Sequence, residues 1–591
     1  MGIIIKKHIL TLYLLIKEIP KIQILFIILN SIVKTFSVVS LPFFIERILK
    51  ITSIKNYHYA IQYTIFFYLI IVVAEIIYIQ NTKRNYTLYN NIRRSFNLKI
   101  HETLMNMNYI KFEDSSELQK AFDALEGTGS NDNGIEGIYH VIFDLGWKLI
   151  SVIIFLLYFG KIHFLIVLVF LLSAFFNFIF QIKSKNIYFK NIENIYSKKR
   201  TLVYFTYDIS DISYGKEKRV YKFFRNIQNK YNEVLNDFSD LLNNINIKQR
   251  PYFLVLSVVD LTKYVIIFYL LYKSYLNNSN IELLIASLTI IFSFSSLLDN
   301  LIKDITFLFQ ETKKVDKVFS FINNEKENDK RKIKIESVSK VEFQSVFFRY
   351  PGNSNFTISN CSFSINKGEK VALIGLNGSG KTTLTKLLLG LYAPTKGRIL
   401  INGYSIADID LDHLYDSISY VEQEHNLVSI KICDFIAGSK NNCDREKVIF
   451  VLKKVNLFDK IEKLPNGIDT MLTKYLEKDG AEFSGGEIQK LYIARSMYRD
   501  KASLFIFDEP TSSLDYKTEK SIYDSFNTIC KDNVSLFISH KVNTTDFCDK
   551  IMIMKDGMII EEGSKDYLIK NSALYNKILD ATLAGGKVHE N

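Results

Sequence analysis

Residues 371–383 read VALIGLNGSGKTT. An apolar run of strand composition enters a glycine loop, and a helical stretch, LTKLLLGLY, leaves it. The loop fits G-x-x-x-x-G-K-S/T over residues 375–382, in the strand–loop–helix context that this spacing requires. Gly375, Gly378 and Gly380 let backbone N–H groups close around phosphate oxygens, and the N-terminus of the following helix adds positive potential. Asn377, Ser379 and Thr383 complete the set expected to hold ATP; Lys381 neutralises the β and γ phosphates, and Thr382 is placed to ligate Mg²⁺.

Downstream, SLFIFDEPTSSLD is a second apolar strand, ending in Asp508 and Glu509. Two adjacent carboxylates can do separate work: Asp508 supplies a Mg²⁺ ligand and stays ionised, while Glu509 stands as general base beside an attacking water. SLFISHK repeats the strand-then-loop pattern and presents His540, expected to hydrogen-bond the γ-phosphate. A lone histidine is most often structural; its place after a third strand of the same sheet argues for function.

Upstream the composition changes. The chain has 591 residues, too many for one domain. With 48% hydrophobic and 14% aromatic residues, only 7 prolines and 25 glycines, disordered and collagen-like classes are excluded. Ile, Leu, Phe and Tyr dominate up to about residue 320, in six apolar segments of near-bilayer length: 22–45, 57–80, 136–159, 162–182, 252–275 and 281–305. No proline lies between Pro42 and Pro251, so helices can run on well past a membrane. The expected division is a transmembrane domain over 1–320, a linker over 321–338 and a nucleotide-binding domain over 339–585. The fold class is all-α for the first and an α/β P-loop domain for the last.

Charge sorts the connections. Segments three to four and five to six are joined by short, nearly uncharged turns, whereas 81–133 and 183–250 carry many Lys and Arg and read as cytoplasmic. Much of the formal charge of +12 thus has a topological origin, and no nucleic-acid partner is expected. All five cysteines lie in the second half without C-x-x-C spacing, so neither a disulfide framework nor a zinc site is expected. The N-terminal MGIIIKKHILTLYLLIKEIPK has neither the cleavage site of a signal peptide nor the Ser or Thr of a myristoylation site. Lys34, Glu75, Asp144, Lys148, Asp260 and Lys263 sit where hydrocarbon would penalise a charge. Asp144 with Lys148 and Asp260 with Lys263 are spaced to neutralise each other on one helix face; Lys34 and Glu75 have no local partner and are the better candidates for lining a substrate cavity.

Between the two carboxylates and the glycine loop lies Phe483-Ser484-Gly485-Gly486-Glu487, followed by IQKLYIARSM. This resembles the signature of the ATP-binding-cassette (ABC) family, usually read as LSGGQ, with Phe and Glu at its ends. Six spans fused to a cassette are similar to an exporter half-transporter of that family, and the resemblance implies its type IV, exporter-like helical domain. It also implies that Tyr350, in FFRYPG before the cassette's first strands, stacks on adenine. Gln423, in YVEQEHN, would contact Mg²⁺ and sense the membrane domain; Ser513-Leu514-Asp515 resembles the D-loop. Ser484, Gly485 and Gly486 would complete the ATP site of a second half-transporter, a homodimer or a heterodimer. The family places a coupling helix at each cytoplasmic loop tip, here near 112–120, capped by Ser115 or Ser116, and near 213–222. The expected activity is ATP hydrolysis coupled to export across a bacterial plasma membrane, amid membrane lipids. GIDTMLTKYLEKDGAEFSGGEIQKLYIARSMYRD looks like the cassettes of lantibiotic and ribosomal-peptide exporters, so the expected cargo is a peptide; an amphipathic drug or a lipid is the alternative. An ATP-gated channel or membrane sensor is the alternative from another class.

Overall fold

A computed structural model of the chain describes residues 2–209, 215–278, 281–324, 333–423, 426–438, 443–511, 516–539 and 542–583. The chain divides into two compact units, Met1–Asn328 and Asp329–Asn591.

The first unit is helical: α1 (Gly2–Lys17), α2 (Lys21–Ser53), α3 (Tyr57–Met105), α4 (Tyr109–Glu113), α5 (Ser115–Glu126), α6 (Gly134–Ile162), α7 (Phe164–Lys190), α8 (Ile192–Val203), α9 (Gly215–Val220), α10 (Phe224–Asn278) and α11 (Ile281–Asn324). Six of these, α2, α3, α6, α7, α10 and α11, are long and apolar enough to cross a membrane. The helices extend beyond the apolar spans, most in α3 and α10, which reach 49 and 55 residues. Hydropathy marks only the part facing hydrocarbon, whereas the backbone ladder continues wherever it is not broken. Pro42 and Pro251 lie inside α2 and α10 and end neither helix; each removes one N–H rung while the flanking turns carry on.

Among the described residues of this unit, apolar packing forms two large clusters and a small one around Ile195, Tyr196 and Ile245. Phe155 and Phe159 of α6, Phe170 of α7 and Phe294 of α11 are all fully buried, and the Phe170–Phe294 centroids lie 4.6 Å apart. Tyr89 and Phe96 of α3, Ala121 and Ala124 of α5, Ile135 and Tyr139 of α6, and Val315 and Val318 of α11 make the second. Helix α11 joins both large clusters and is the most enclosed, with 56% of its apolar window buried against 17–28% in the other five. Between α6 and α7 the turn shrinks to His163, whose Nδ1 accepts from the Leu165 N–H. The cap of α5 is Asp114, not Ser115 or Ser116: its carboxylate accepts from the Ser116 N–H at 2.8 Å. An ionised acceptor at the N-cap outcompetes a neighbouring hydroxyl. Part of the second expected coupling helix lies outside the described residues.

The second unit carries β1 (Lys340–Phe348), β2 (Ile358–Asn366), β3 (Lys370–Gly375), α12 (Lys381–Leu388), β4 (Lys396–Ile401), β5 (Tyr404–Ser405), α13 (Leu411–Asp416), β6 (Ile418–Val421), α14 (Ile432–Ala437), α15 (Arg445–Lys454), α16 (Phe458–Glu462), α17 (Gly485–Tyr498), β7 (Leu504–Asp508), α18 (Tyr516–Cys530), β8 (Val534–Ser539), β9 (Lys550–Lys555), β10 (Met558–Gly563), α19 (Lys565–Asn571) and α20 (Ala573–Leu583). A six-stranded sheet runs β10-β9-β3-β8-β7-β6, parallel except for the β9–β10 hairpin, and a four-stranded antiparallel sheet runs β2-β1-β4-β5. Strands β7 and β8 are buried at every position, which is why LFIFD and VSLFIS lack the regular apolar–polar alternation of a half-exposed strand.

Phe507 on β7 is 0% exposed, with its ring 4.2 Å from Phe526 and 4.8 Å from Phe537. Truncating it to alanine is expected to destabilise this unit by about 3–5 kcal/mol, read as a lowered unfolding midpoint. Cys433 and Cys443 form a disulfide, against the sequence expectation of no pairing. Their spacing carries no signal; the fold brings α14 beside the entry to α15.

Candidate ATP site and the charges within the membrane helices

In parallel sheets, ligands bind beyond the C-terminal ends of the strands. Three such ends meet here. The glycine loop leaves β3, Asp508 ends β7 with Glu509 next, and Gln423 lies two residues beyond β6. The β3–β8 and β7–β8 registers hold these ends level, with Ile374 opposite Ser539 and Asp508 opposite Ile538.

Within the loop, Gly378 and Gly380 have φ of +80° and +107°, a region that favours glycine. A Cβ on Gly378 would meet nothing within 4 Å, so that side of the loop is open. Lys381 is 8% exposed, and its ammonium donates to the carbonyls of Gly375 at 2.8 Å and Leu376 at 3.0 Å. Burial pushes its pKa down against the pull of Glu509 and Asp508. Asn377 and Thr382 are exposed, whereas Ser379 and Thr383 are buried. The Ser379 hydroxyl finds no hydrogen-bond partner among the described residues.

Asp508 is 2% exposed, and its Oδ2 likewise lacks a partner among the described residues. Burial, then the neighbouring Glu509 carboxylate, pushes its carboxyl up to about 6, although Lys381 opposes the rise. A buried carboxylate with an unfilled acceptor fits a cation ligand, and the donor set of Asp508, Thr382 and Gln423 is the hard oxygen chemistry that Mg²⁺ takes. Glu509 has φ +49° and accepts at Oε2 from Gln423 Nε2 at 3.2 Å. Its N–H donates to the Ile538 carbonyl at 3.0 Å, and its carbonyl accepts from Gln489 Nε2 at 3.1 Å. Gln489 was missed by motif reading; a polar residue on the inward face of α17 was its only signal, and it is 1% exposed. His540 and Ser513-Leu514-Asp515 lie outside the described residues.

Tyr350 follows β1 instead of preceding the first strands. Its hydroxyl meets that of Thr383 at 3.1 Å, and its ring stands edge-on to Tyr392 at 5.4 Å. Ser484 is the N-cap of α17 in a reciprocal box: the Glu487 N–H donates to Ser484 Oγ at 3.4 Å, and the Ser484 N–H to Glu487 Oε2 at 2.8 Å. A Cβ on Gly485 would meet nothing within 4 Å, so this helix start is open too.

Residues 358–512 match the family described as ABC transporter. The cassette is that of an ABC transporter. Over 94% of its length the chain shares the fold of a bacterial Atm1-family ABC exporter solved with ATP bound, with a TM-score of 0.77 and 19% identity, covering 98% of the exporter chain. The chain thus has the layout of an ABC half-transporter, six candidate membrane spans followed by a cassette. It is 35% identical over 260 residues to the ATP-dependent lipid A-core flippase of Albidiferax ferrireducens, covering 44% of each chain. It is 29% identical over 389 residues to the subtilin transport ATP-binding protein SpaT of Bacillus subtilis, covering 64% of this chain and 62% of SpaT. The chain spans less than half the length of the flippases it matches.

Among the intramembrane charges, Lys34 and Glu75, which have no ionic partner on their own helices, pair with each other across α2 and α3 at 2.9 Å, and Glu75 also accepts from Ser37 at 2.8 Å. Their separation of 41 residues hid a contact that helix packing makes. Lys263 pairs with Asp260 at 2.7 Å as its spacing implied. Lys148 sits 3.8 Å from Asp144 but only 2.5 Å from Asp304 on α11, so its stronger partner lies on another helix. Asp144 in turn accepts from the Tyr78 hydroxyl at 3.2 Å and from Trp147 Nε1 at 3.3 Å.

Proposed function

We propose that the chain is one half of an ATP-driven exporter of a bacterial plasma membrane, with two copies pairing to hydrolyse ATP and release a modified ribosomal peptide. One observation carries the ATPase reading: a buried carboxylate with an unfilled acceptor, Asp508, stands at the end of one parallel strand, beside Glu509 and within the field of Lys381.

Each residue then has a defined task. Lys381 and the N–H groups of residues 375–383 bind the triphosphate, and Tyr350 stacks on adenine. Asp508, Thr382 and Gln423 would hold Mg²⁺, which supplies charge neutralisation at the phosphate oxygens. Glu509 takes the proton of the attacking water, with Gln423 orienting its carboxylate, and His540 supports the γ-phosphate. The chain has one glycine loop and one signature, and Ser484, Gly485 and Gly486 of one copy close over the nucleotide of the other. Because both Glu509 and the Ser-Gly-Gly core are present, a homodimer has two competent sites.

What favours a peptide cargo is the reach of the SpaT similarity. At 389 residues it is longer than the unit Asp329–Asn591 and so includes part of the helical unit, where cargo is met; the flippase alignment of 260 residues is no longer than the cassette unit itself.

The test is ATP turnover by the full chain in lipid nanodiscs, with and without candidate peptides. Stimulation by one peptide supports the reading, whereas stimulation only by lipid or drug replaces the cargo. Tyr350→Ala is expected to raise the half-saturating ATP concentration about 3- to 10-fold by removing the stack, and Tyr350→Phe to leave it nearly unchanged. Glu75→Gln leaves Lys34 without its ionic partner at membrane depth, and is expected to lower the peptide-stimulated share of turnover.

A further inference from the structure

Two residues depart from the usual signature pattern, Phe483 for leucine and Glu487 for glutamine. Both touch one side chain. Lys460 of α16 donates from Nζ to Glu487 Oε2 at 2.6 Å and to the Glu482 carbonyl at 3.2 Å. Its ammonium also lies 5.1 Å from the centroid of the Phe483 ring, a contact open to an aromatic and closed to leucine.

A carboxylate at Glu487 creates a problem that an amide does not. It places a full negative charge in the first turn of α17, where it occupies the positive potential that an incoming phosphate needs. That charge is present at neutral pH: burial pushes the Glu487 carboxyl up, but Lys460 and the Ser484 N–H outweigh burial and hold it below the usual carboxylate range. Uncompensated, it would repel a triphosphate arriving at Ser484, Gly485 and Gly486. The ammonium of Lys460 cancels it, and its bond to the Glu482 carbonyl ties down the turn that leads into Ser484.

We propose that Lys460 is a positioning residue of the ATP site: by neutralising Glu487 and clamping the backbone ahead of Ser484, it lets the start of α17 receive the triphosphate held by the glycine loop of a second copy. This rests on the ATPase reading above and extends it to a residue outside every nucleotide motif. It makes the two departures a single, compensated set.

The experiment compares four full-length proteins in nanodiscs: wild type, Lys460→Met, Glu487→Gln and the double variant. Half-saturating ATP concentration and maximal turnover are read separately, alongside the unfolding midpoint. Lys460→Met is expected to raise the half-saturating concentration about tenfold, the scale of a lost hydrogen bond to a charged group, with a smaller change in maximal turnover. Glu487→Gln alone stays within about twofold of wild type, and the double variant returns to within about twofold as well, because removing the carboxylate removes the need for the lysine. If Lys460 only props α16 against α17, the double variant is no better than Lys460→Met, and the proposal is overturned. It is equally overturned if Lys460→Met matches wild type. Silence of all four proteins, with no ATP turnover in the wild type, overturns the ATPase reading and the proposal with it.

Discussion

Replacing Glu509 by glutamine lowers ATP turnover about a hundred- to a thousandfold while nucleotide binding persists. The structure makes this a clean substitution. The left-handed backbone at Glu509 is held from both sides, by the Ile538 carbonyl at its N–H and by Gln489 at its carbonyl, and neither bond involves the side chain being changed. Glutamine keeps the volume and an oxygen to accept from Gln423, as Glu509 Oε2 does at 3.2 Å. What is lost is the negative charge, and with it the capacity to take a proton and the field that Glu509 exerts on Asp508 and Lys381. Phosphate release and retained labelled ATP, measured on the full chain in nanodiscs, separate the two effects. Turnover within about threefold of wild type would remove Glu509 from the role of base.

Asp508→Asn is expected to have two consequences of opposite sign. Turnover is lost, because an amide replaces the carboxylate that is to hold Mg²⁺. The protein without nucleotide or Mg²⁺, however, becomes more stable near neutral pH. Burial first, then Glu509, raises the Asp508 carboxyl from its ordinary 3.8 to about 6, so keeping it ionised above that pH costs about 3 kcal/mol. The folded protein binds this proton more tightly than the unfolded chain does. Its stabilising contribution is therefore complete below about pH 4 and is lost as pH rises through about 6. The advantage of the variant is greatest above pH 6 and fades toward pH 4, which unfolding midpoints of both proteins in a pH series will report. A constant difference across that range would mean that Asp508 is ionised at no cost.

The cassette was legible because its chemistry is local in sequence. The glycine loop, the Asp508–Glu509 pair and the signature each occupy a few consecutive residues, and β3 and β7 announce themselves as unbroken apolar runs. Six spans were legible for the same reason, since hydrocarbon selects contiguous apolar segments. What escaped was set by packing between distant segments. Lys34 has no partner on its own helix, and Glu75 approaches it only when α2 and α3 pack together; spacing pairs Lys148 with Asp144, four residues away, although Asp304 is nearer. Gln489 and Lys460 belong to no motif, yet one grips the backbone of Glu509 and the other the carboxylate of Glu487. The Cys433–Cys443 bond falls in the same class.

Helix α10 is 55 residues long, on the order of 80 Å, against roughly 30 Å of hydrocarbon. Its missing rung falls at Pro251, where the charged, Asn-rich half gives way to the apolar half. Pro251 thus sits at the middle of the helix, where its charged and apolar halves join. A rotation of roughly 10° about that point swings the Phe224 end by about 7 Å. Asn278, at the apolar end, lies as many residues from Pro251 as Phe224 does, so a tilt about that point is shared equally: a stroke longer than a helical turn at the watery tip is matched by one of the same size within the membrane.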